Sequence, residues 1–200
     1  MNKTLITFFT VLFCLTSSVG WSEVMDDLVQ RDGLFYKQFS DKPFTGKVKD
    51  KRYYKTSNNT KRFFYMDHSF LDGIAHGTWK QYWDNGQLWL KENYKNGKKV
   101  GSYIQYHENG KLNTNSNYKN GKPDGTWVYY WDNEKIRSKG NYKNGKQEGE
   151  WLDYSFEGQL KSKGHYKNGK KDGYWVYYDY DGTIHKGLTG MWKDGNVISD

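Results

Sequence analysis

The chain has 200 residues, the size of one ordinary domain, and only 35% of them are hydrophobic. Leu, Ile and Val are sparse, whereas 9 Trp, 18 Tyr and 10 Phe make aromatic residues unusually frequent. This balance excludes a thick aliphatic core, and it argues against disorder because disordered chains are poor in aromatic residues. A thin sheet covered by large rings fits better.

The first 22 residues have the pattern of a secretory signal peptide. Lys3 supplies the positive start, and residues 4–15 form an apolar stretch that is too short to span a bilayer comfortably. Small residues follow, and cleavage is predicted after Ser22; the alternatives are cleavage after Gly20 and an uncleaved anchor. The mature chain is then exported to the periplasm, cell surface or extracellular space, with no transmembrane span. It also has no disulfide, because the one cysteine, Cys14, is removed.

Residues 23–69 lack the regular repeat of the later chain and are predicted to form an N-terminal cap with one irregular hairpin. Residues 23–30 are predicted as a short helical turn, and residues 44–48 (FTGKV) resemble a degenerate strand start. Residues 51–64 are basic and aromatic around a polar loop at 57–60. Such an irregular end is expected, since a regular one would expose an open strand edge.

Between Phe70 and Asp200, a 24-residue unit recurs about five times. Each unit reads broadly G-x-W-x-x-Y-x-x-N-G-x-L, followed after five residues by Y-K-N-G-K. Asn-Gly and Asp-Gly pairs favour the positive φ angles of tight hairpin turns, and the short aromatic runs between them are typical of strands. The predicted fold is all-β: an elongated, single-layer antiparallel meander of repeated hairpins with terminal caps. The frequent Gly and Asn exclude helix.

The faces of this sheet are predicted from the alternation of side chains along a strand. If the short turn preserves alternation, the positions of Tyr82, Leu88 and Tyr94 share one face. The Trp79 position then lies on the other face, unless a bulge turns it back. The alternation alone leaves both arrangements open.

The pattern resembles a known repeat family. Residues 190–195 (GMWKDG) have the form G-x-W-x-x-G, and residues 140–145 and 164–169 have it with Tyr in place of Trp. Glycine–aromatic hairpins of this form resemble MORN repeats. The Y-K-N-G-K form and the 24-residue step resemble the bacterial MORN variant grouped as YwqK-type antitoxins. The resemblance covers residues 70–200, departs where Asn93 and Asn117 precede tyrosines without the expected glycine, and implies a hairpin array and a toxin-neutralising role.

No residues form a catalytic constellation. The five histidines (His68, His76, His107, His165 and His185) occupy different repeat positions, whereas a metal site needs convergent ligands at close spacing. No nucleophile elbow, phosphate-binding loop or zinc-binding helix is present in the sequence. We therefore expect a protein that is not an enzyme and that has no catalytic residue, metal or cofactor.

Two ladders are candidate binding surfaces. Regular aromatic rings can stack on sugars or hold an extended polymer, although they are also the residues available for a core. This aromatic ladder comprises Trp79, Tyr82, Tyr103, Tyr106, Trp127, Tyr130, Trp151, Tyr154, Trp175 and Tyr178. Lysines at one turn of successive hairpins form a basic edge that suits anionic lipid or polysaccharide, or else blocks edge aggregation. This lysine ladder comprises Lys95, Lys98, Lys119, Lys122, Lys143, Lys146, Lys167 and Lys170.

The function that fits these features is a non-catalytic binding or scaffold module for a protein, an anionic lipid or a glycan. Loss of Lys3 with the signal lowers the formal net charge from +8 to +7, which attracts anionic surfaces moderately. Nucleic acid is disfavoured by export and by the interspersed acidic residues. The alternatives are a toxin-neutralising protein, as the resemblance implies, and a cell-wall glycan-binding array.

Overall fold

A computed structural model describes residues 27–55 and 61–198, with backbone alone at 52–55 and 61–64. The predicted signal segment 1–22 and polar loop 57–60 lie outside the described residues. The described chain is nearly all β and forms one long antiparallel meander of hairpins that is not closed into a barrel. The predicted fold class is therefore confirmed.

Consecutive strands pair in antiparallel register along the meander, so each hairpin lies beside the hairpin that precedes it in sequence. The strands of the described residues are β1 (Leu28–Arg31), β2 (Leu34–Lys37), β3 (Gly46–Lys55), β4 (Lys61–Leu71), β5 (Ile74–Ala75), β6 (Gly77–Tyr82), β7 (Leu88–Lys95), β8 (Lys98–Lys99), β9 (Gly101–Tyr106), β10 (Leu112–Lys119), β11 (Lys122–Pro123), β12 (Gly125–Tyr130), β13 (Ile136–Lys143), β14 (Lys146–Tyr154), β15 (Leu160–Lys167), β16 (Lys170–Lys171), β17 (Gly173–Tyr177), β18 (Gly190–Lys193) and β19 (Asn196–Ile198).

The start of the described chain is a small hairpin, β1–β2, that covers the first long hairpin, β3–β4. Leu28 of β1 is buried in a cluster with Phe44, Val48 and Phe70. The helical turn predicted over residues 23–30 is therefore wrong from Leu28 onward, where a strand begins. Burial of Leu28 and pairing with β2 outweigh the weak local preference of this segment.

The Lys-Asn-Gly-Lys turns are two-residue hairpin connections, as the sequence predicts. Asn96 and Gly97 have φ angles of 51° and 74°, and Lys95 pairs directly with Lys98. Positive φ at both central residues defines the turn whose twist matches that of the flanking strands. Each turn also contacts its neighbour: the Gly121 amide donates to the Lys99 carbonyl at 2.8 Å.

A β-bulge recurs at the same place in four successive repeats. In the first, Gln81 pairs with Leu90 but Tyr82 pairs with Leu88, so Trp89 is the extra residue. The equivalent extra residues, at the same step of 24, are Asn113, Arg137 and Lys161. A bulge of one residue reverses the alternation of the side chains that follow it.

The bulge decides the face question that the sequence leaves open. The rings of Trp79 and Tyr94 are 4.5 Å apart, so these two positions share a face. His68 stacks on Trp79, so its neighbour Asp67 points to the opposite face. The Tyr82 hydroxyl donates to Asp67 at 3.2 Å, which places Tyr82 on that opposite face. Of the two arrangements left open by the sequence, the one with a bulge is observed, and Tyr82 and Tyr94 do not share a face.

Candidate ligand-binding groove

The tryptophans of the aromatic ladder join each hairpin to the one before it. Trp127, Trp151 and Trp175 are only 7%, 5% and 1% exposed. Each indole N–H donates to a backbone carbonyl ten residues earlier in the chain; the pairs are Trp79 with Ser69 at 2.9 Å, Trp127 with Asn117 at 3.3 Å, Trp151 with Asn141 at 3.3 Å, and Trp175 with His165 at 3.0 Å. A buried indole N–H is thus satisfied within the fold.

Two glycines provide the space for these rings. A Cβ atom added at Gly140 would lie 2.3 Å from the Trp151 ring, and one at Gly164 would lie 2.2 Å from the Trp175 ring. No side chain fits at that distance, so the rings rest directly on the backbone of the preceding hairpin. The glycines are required by this close approach.

Tyrosines of the Tyr94 type fill the spaces between successive tryptophans. The Tyr142 ring meets the Trp151 ring edge-on, with centroids 5.5 Å apart and an interplanar angle of 88°. Tyr166 contacts Trp151 at 5.9 Å and Trp175 at 5.0 Å in the same manner. The result is a continuous aromatic face that runs along the meander.

A groove of about 690 Å³ opens on this aromatic face between the third and fifth repeats. Its walls combine aromatic rings with hydroxyl, amide, carboxylate and cationic groups. The lining residues are Tyr129, Trp131, Arg137, Ser138, Tyr142, Gln147, Trp151, Asp153, Tyr154, Lys161, Ser162, Tyr166, Tyr177, Tyr178, His185 and Leu188. Aromatic walls with a few converging polar groups are typical of sites that bind small molecules or polymer segments.

Asp153 is held at the centre of the polar lining. Its Oδ1 accepts a hydrogen bond from the Ser138 hydroxyl at 2.7 Å, and its Oδ2 accepts one from Ser162 at 2.9 Å. An ionised carboxylate has about four lone-pair sites, so both oxygens retain capacity for a ligand hydroxyl. Asp153 is therefore a fixed acceptor in the groove.

Two groove tyrosines, Tyr129 and Tyr166, remain protonated donors at neutral pH. Desolvation raises the pKa of Tyr129, and the neighbouring Tyr142 hydroxyl raises it further. Desolvation also raises the pKa of Tyr166, with Asp153 adding to the effect. A neutral phenol both donates and accepts a hydrogen bond, which suits a ligand with many hydroxyl groups.

The remaining members of the aromatic ladder are distributed between the two faces. Tyr103 takes the place of a tryptophan and stacks on Trp127 at 5.8 Å. Four half-buried tyrosines occupy the register position of Tyr82: Tyr106, Tyr130, Tyr154 and Tyr178. Of these, Tyr154 and Tyr178 border the groove. The structure thus brings part of the predicted ladder together as a lining and uses the tryptophans to join hairpins.

The lysine ladder lies on the exposed turns, away from the groove. All eight lysines are exposed. The lysine that follows each Asn-Gly turn lies over the turn of the next hairpin. A Cβ atom added at Gly145 would be 3.6 Å from the Cβ atom of Lys122, and one added at Gly169 would be 3.7 Å from that of Lys146. Their aliphatic stems therefore cover the neighbouring turn while their ammonium groups stay in water.

The opposite turns carry an asparagine ladder that sequence reasoning treated only as turn formers. The Asn133 amide donates to the Phe156 carbonyl at 2.7 Å, and its Oδ1 accepts from the Lys135 amide at 3.0 Å. Asn85 and Asn109 repeat both bonds, to the Glu108 and Asp132 carbonyls of the next turn. One side chain thus stabilises its own turn and fixes it to the following hairpin.

The sequence analysis missed most of the groove: Tyr129, Tyr142 and Tyr166 lie outside its candidate ladder, and so do the polar residues Arg137, Ser138, Asp153, Lys161 and Ser162. The available signal was their position: Arg137 and Lys161 stand 24 residues apart, as do Ser138 and Ser162. Nothing in the repeat consensus indicated that a bulge directs the first pair into the groove. Register, which only the structure supplies, was needed.

Within residues 27–55 and 61–198, no group of three His, Cys, Asp or Glu side chains is arranged to hold a metal ion. The same part of the chain contains no helix of the length and apolar character that a membrane span requires.

Comparison with known proteins identifies the repeat. Four consecutive segments, residues 75–96, 99–120, 123–144 and 147–168, match the family described as MORN repeat variant. No curated protein matches the chain significantly. These segments coincide with the bulged hairpins that carry the aromatic face, and the central part of this chain is therefore an array of MORN repeats of the variant type.

Proposed function

We propose that this chain is an exported, non-catalytic module that binds a glycan in the groove of its aromatic face. The observation that carries the proposal is the lining: the rings of Tyr129, Tyr142 and Tyr166 line the same groove as the fixed acceptor Asp153. A sugar presents an apolar C–H face and a rim of hydroxyls, and this combination of flat rings and hydrogen-bonding groups complements both.

The lining favours a glycan over the other partners that the sequence suggests. Leu188 is the one aliphatic residue among the groove residues, so lipid chains would find little matching surface. A peptide that binds as an added strand needs free backbone groups, whereas the groove lies on a sheet face whose strands are paired on both sides. Asp153 would repel the closely spaced phosphates of nucleic acid.

A non-catalytic role is supported by the family, since MORN repeats are generally not enzymes. The groove contains one carboxylate, Asp153, and both of its oxygens are engaged by serine hydroxyls. Glycoside hydrolysis usually employs two carboxylates, one on each side of the bond that is cleaved. The lining therefore supports binding of a glycan without its cleavage.

Export rests on the sequence pattern of residues 1–22. Expression of the full chain in a bacterial host, followed by fractionation and mass measurement, tests it. We expect the protein in an exported fraction, with Glu23 at its N-terminus. A full-length chain retained in the cytoplasm would contradict this part of the proposal.

Binding is tested by screening the purified exported protein against a panel of envelope polysaccharides, with affinity measured by calorimetry. Tyr142→Ala and Tyr118→Ala form a matched pair, because both rings contact Trp127, at 5.1 and 5.7 Å, and only Tyr142 lines the groove. We expect Tyr142→Ala to weaken glycan binding about tenfold or more, and Tyr118→Ala to leave it nearly unchanged.

Equal losses in the two variants would place the ligand outside the groove. Retention of a protein, including a toxin, or of anionic vesicles by a chain that binds no glycan would overturn the proposal and favour the corresponding alternative.

A further inference from the structure

Basic side chains occupy the bulge positions of the third and fourth repeats, and a histidine occupies the equivalent position of the fifth. Arg137 and Lys161 occupy the extra position of two successive bulges, and His185 stands 24 residues after Lys161. All three line the groove. The equivalent residues of the earlier repeats, Trp89 and Asn113, are uncharged. This row of side chains thus begins where the groove begins.

The bulge turns these side chains onto the aromatic face. Ser138, next to Arg137, hydrogen-bonds Asp153 on this same face, and regular alternation would therefore send Arg137 to the other side. Instead, the Arg137 guanidinium lies over the Tyr129 and Trp131 rings, 5.3 and 5.5 Å from their centroids. These cation–π contacts hold the guanidinium at the groove wall.

Among the residues that the structure describes, no acidic side chain neutralises Arg137 or Lys161. Both are exposed, and neither forms an ion pair with a described residue. The carboxylate of the lining, Asp153, instead accepts hydrogen bonds from the hydroxyls of Ser138 and Ser162. Two cations therefore face the groove with their anion-binding capacity unused.

The spacing of the cations defines the ligand more closely. One hairpin separates Arg137 from Lys161, and two strand spacings amount to about 10 Å. This is about the length of a disaccharide. The Asp153 acceptor lies on β14, the strand between those of the two cations, where the uncharged sugar of each pair would sit.

We propose that the groove binds an acidic glycan with a carboxylate on alternate sugars, and that Arg137 and Lys161 pair with successive carboxylates. This inference rests on the proposed glycan-binding function and assigns its specificity. The planar guanidinium of Arg137 matches a carboxylate in a two-pronged hydrogen bond, and Lys161 supplies a more mobile point charge.

The test uses hyaluronan oligosaccharides, which carry a carboxylate on alternate sugars, and chitin oligosaccharides of the same length, which carry none. Calorimetry with the purified exported protein measures both affinities. Two charge-reversal variants form a matched pair: R137E/K161E changes the groove cations, and K139E/K163E changes the net charge equally on the same strands. Lys139 and Lys163 do not line the groove, and they alternate with Ser138 and Ser162, which face it.

We expect the unmodified protein to bind the hyaluronan oligosaccharide at least tenfold more tightly than the chitin oligosaccharide. R137E/K161E should abolish this preference and retain the weaker binding of the neutral sugar, whereas K139E/K163E should keep the preference. Urea unfolding of both variants controls for loss of the fold.

The other outcomes distinguish a failure of the assigned specificity from a failure of the proposed glycan binding. Equal binding of the two oligosaccharides, or equal loss in both charge-reversal variants, overturns the assigned specificity and leaves glycan binding intact. Failure to bind either oligosaccharide or any other glycan overturns the proposed function itself.

Discussion

The earlier and later halves of the aromatic face share one backbone and differ in a few side chains. In the earlier half, Glu92 is 4% exposed and its Oε2 lies 2.6 Å from Lys99 Nζ. The Lys99 ammonium also lies 5.4 Å from the ring centres of both Tyr103 and Tyr118, and the Tyr94 hydroxyl donates to Glu92 at 3.0 Å. An ion pair between a buried carboxylate and a half-buried ammonium thus fills this half of the face.

In the later half, the positions equivalent to Glu92 and Lys99 carry smaller or neutral residues. Gly140 and Gly164 stand where the first repeat has Glu92, and Gln147 stands where it has Lys99. At the far end Lys171 takes the Lys99 position again, and its ammonium lies 4.4 and 4.5 Å from the Trp175 and Trp192 ring centres. The groove therefore lies along the aromatic face between Lys99 and Lys171, whose side chains cover the rings on either side of it.

The comparison shows that the repeat consensus builds the scaffold, while exceptions to the consensus build the site. Tryptophans, turn residues and bulges recur through the array. The groove arises where small residues replace the ion pair and where the bulge residue becomes basic. Searching for the most regular residues therefore finds the structural ones first.

The largest predicted effect comes from removing the space beneath a tryptophan. Gly164→Ala would place a Cβ atom 2.2 Å from the Trp175 ring, too close for a small adjustment. Since the ring must leave its site, the cost should approach that of losing the tryptophan, about 4 kcal/mol. The measurement is the free energy of unfolding in urea.

Gly190→Ala is the control for this prediction. Gly190 pairs with Trp175 across the strands as Gly164 pairs with Trp151, yet no atom lies within 4 Å of its Cβ site. We expect its unfolding free energy to change by less than about 0.5 kcal/mol. Similar losses in the two variants would show that the close ring–backbone approach is not what holds the later hairpins together.

The next largest effect tests the filled half. Glu92→Ala leaves the Lys99 ammonium without its carboxylate, and we expect a loss of about 2 kcal/mol. This is less than for a fully buried pair, because the Lys99 side chain is 32% exposed and its charge stays partly solvated. The double variant E92A/K99M should lose less than the sum of the two single variants, since it removes both charges. Additive losses in urea unfolding would mean that the two residues do not act as a pair.

A feature of this fold can be predicted from the sequence when neighbouring residues determine it, and cannot when it depends on how distant strands pair. The Asn96–Gly97 turn is local, and its type was predictable from two residues. The face shared by Trp79 and Tyr94 was not, because the bulge at Trp89 depends on how two strands pair. The ion pair of Glu92 and Lys99 crosses a turn and is hidden among many exposed lysines, so charge patterns could not single it out.

A smaller effect is predicted for the asparagine ladder. Asn133→Ala removes the bond within its own turn and the bond to the Phe156 carbonyl, and we expect a loss of about 1 kcal/mol. Asn133→Asp keeps the acceptor for the Lys135 amide but removes the donor to the next hairpin. A smaller loss for Asn133→Asp would separate the two contributions, whereas no loss in either variant would show that the ladder is not stabilising.

The smallest effect concerns alkaline pH and the filled half alone. Desolvation, with further contributions from Tyr118 and Glu92, raises the pKa of Tyr103 to about 12 from its ordinary value of 10.0. The unfolded chain therefore loses this proton first, so the stability that Tyr103 contributes is complete below pH 10 and is lost as pH rises toward 12. Tyr103→Phe keeps the ring and cannot ionise, so it should unfold at slightly higher pH than the unmodified protein. Tyr180→Phe, at a ring that is 89% exposed, is the control, and an equal shift in both variants would contradict the assignment to the buried face.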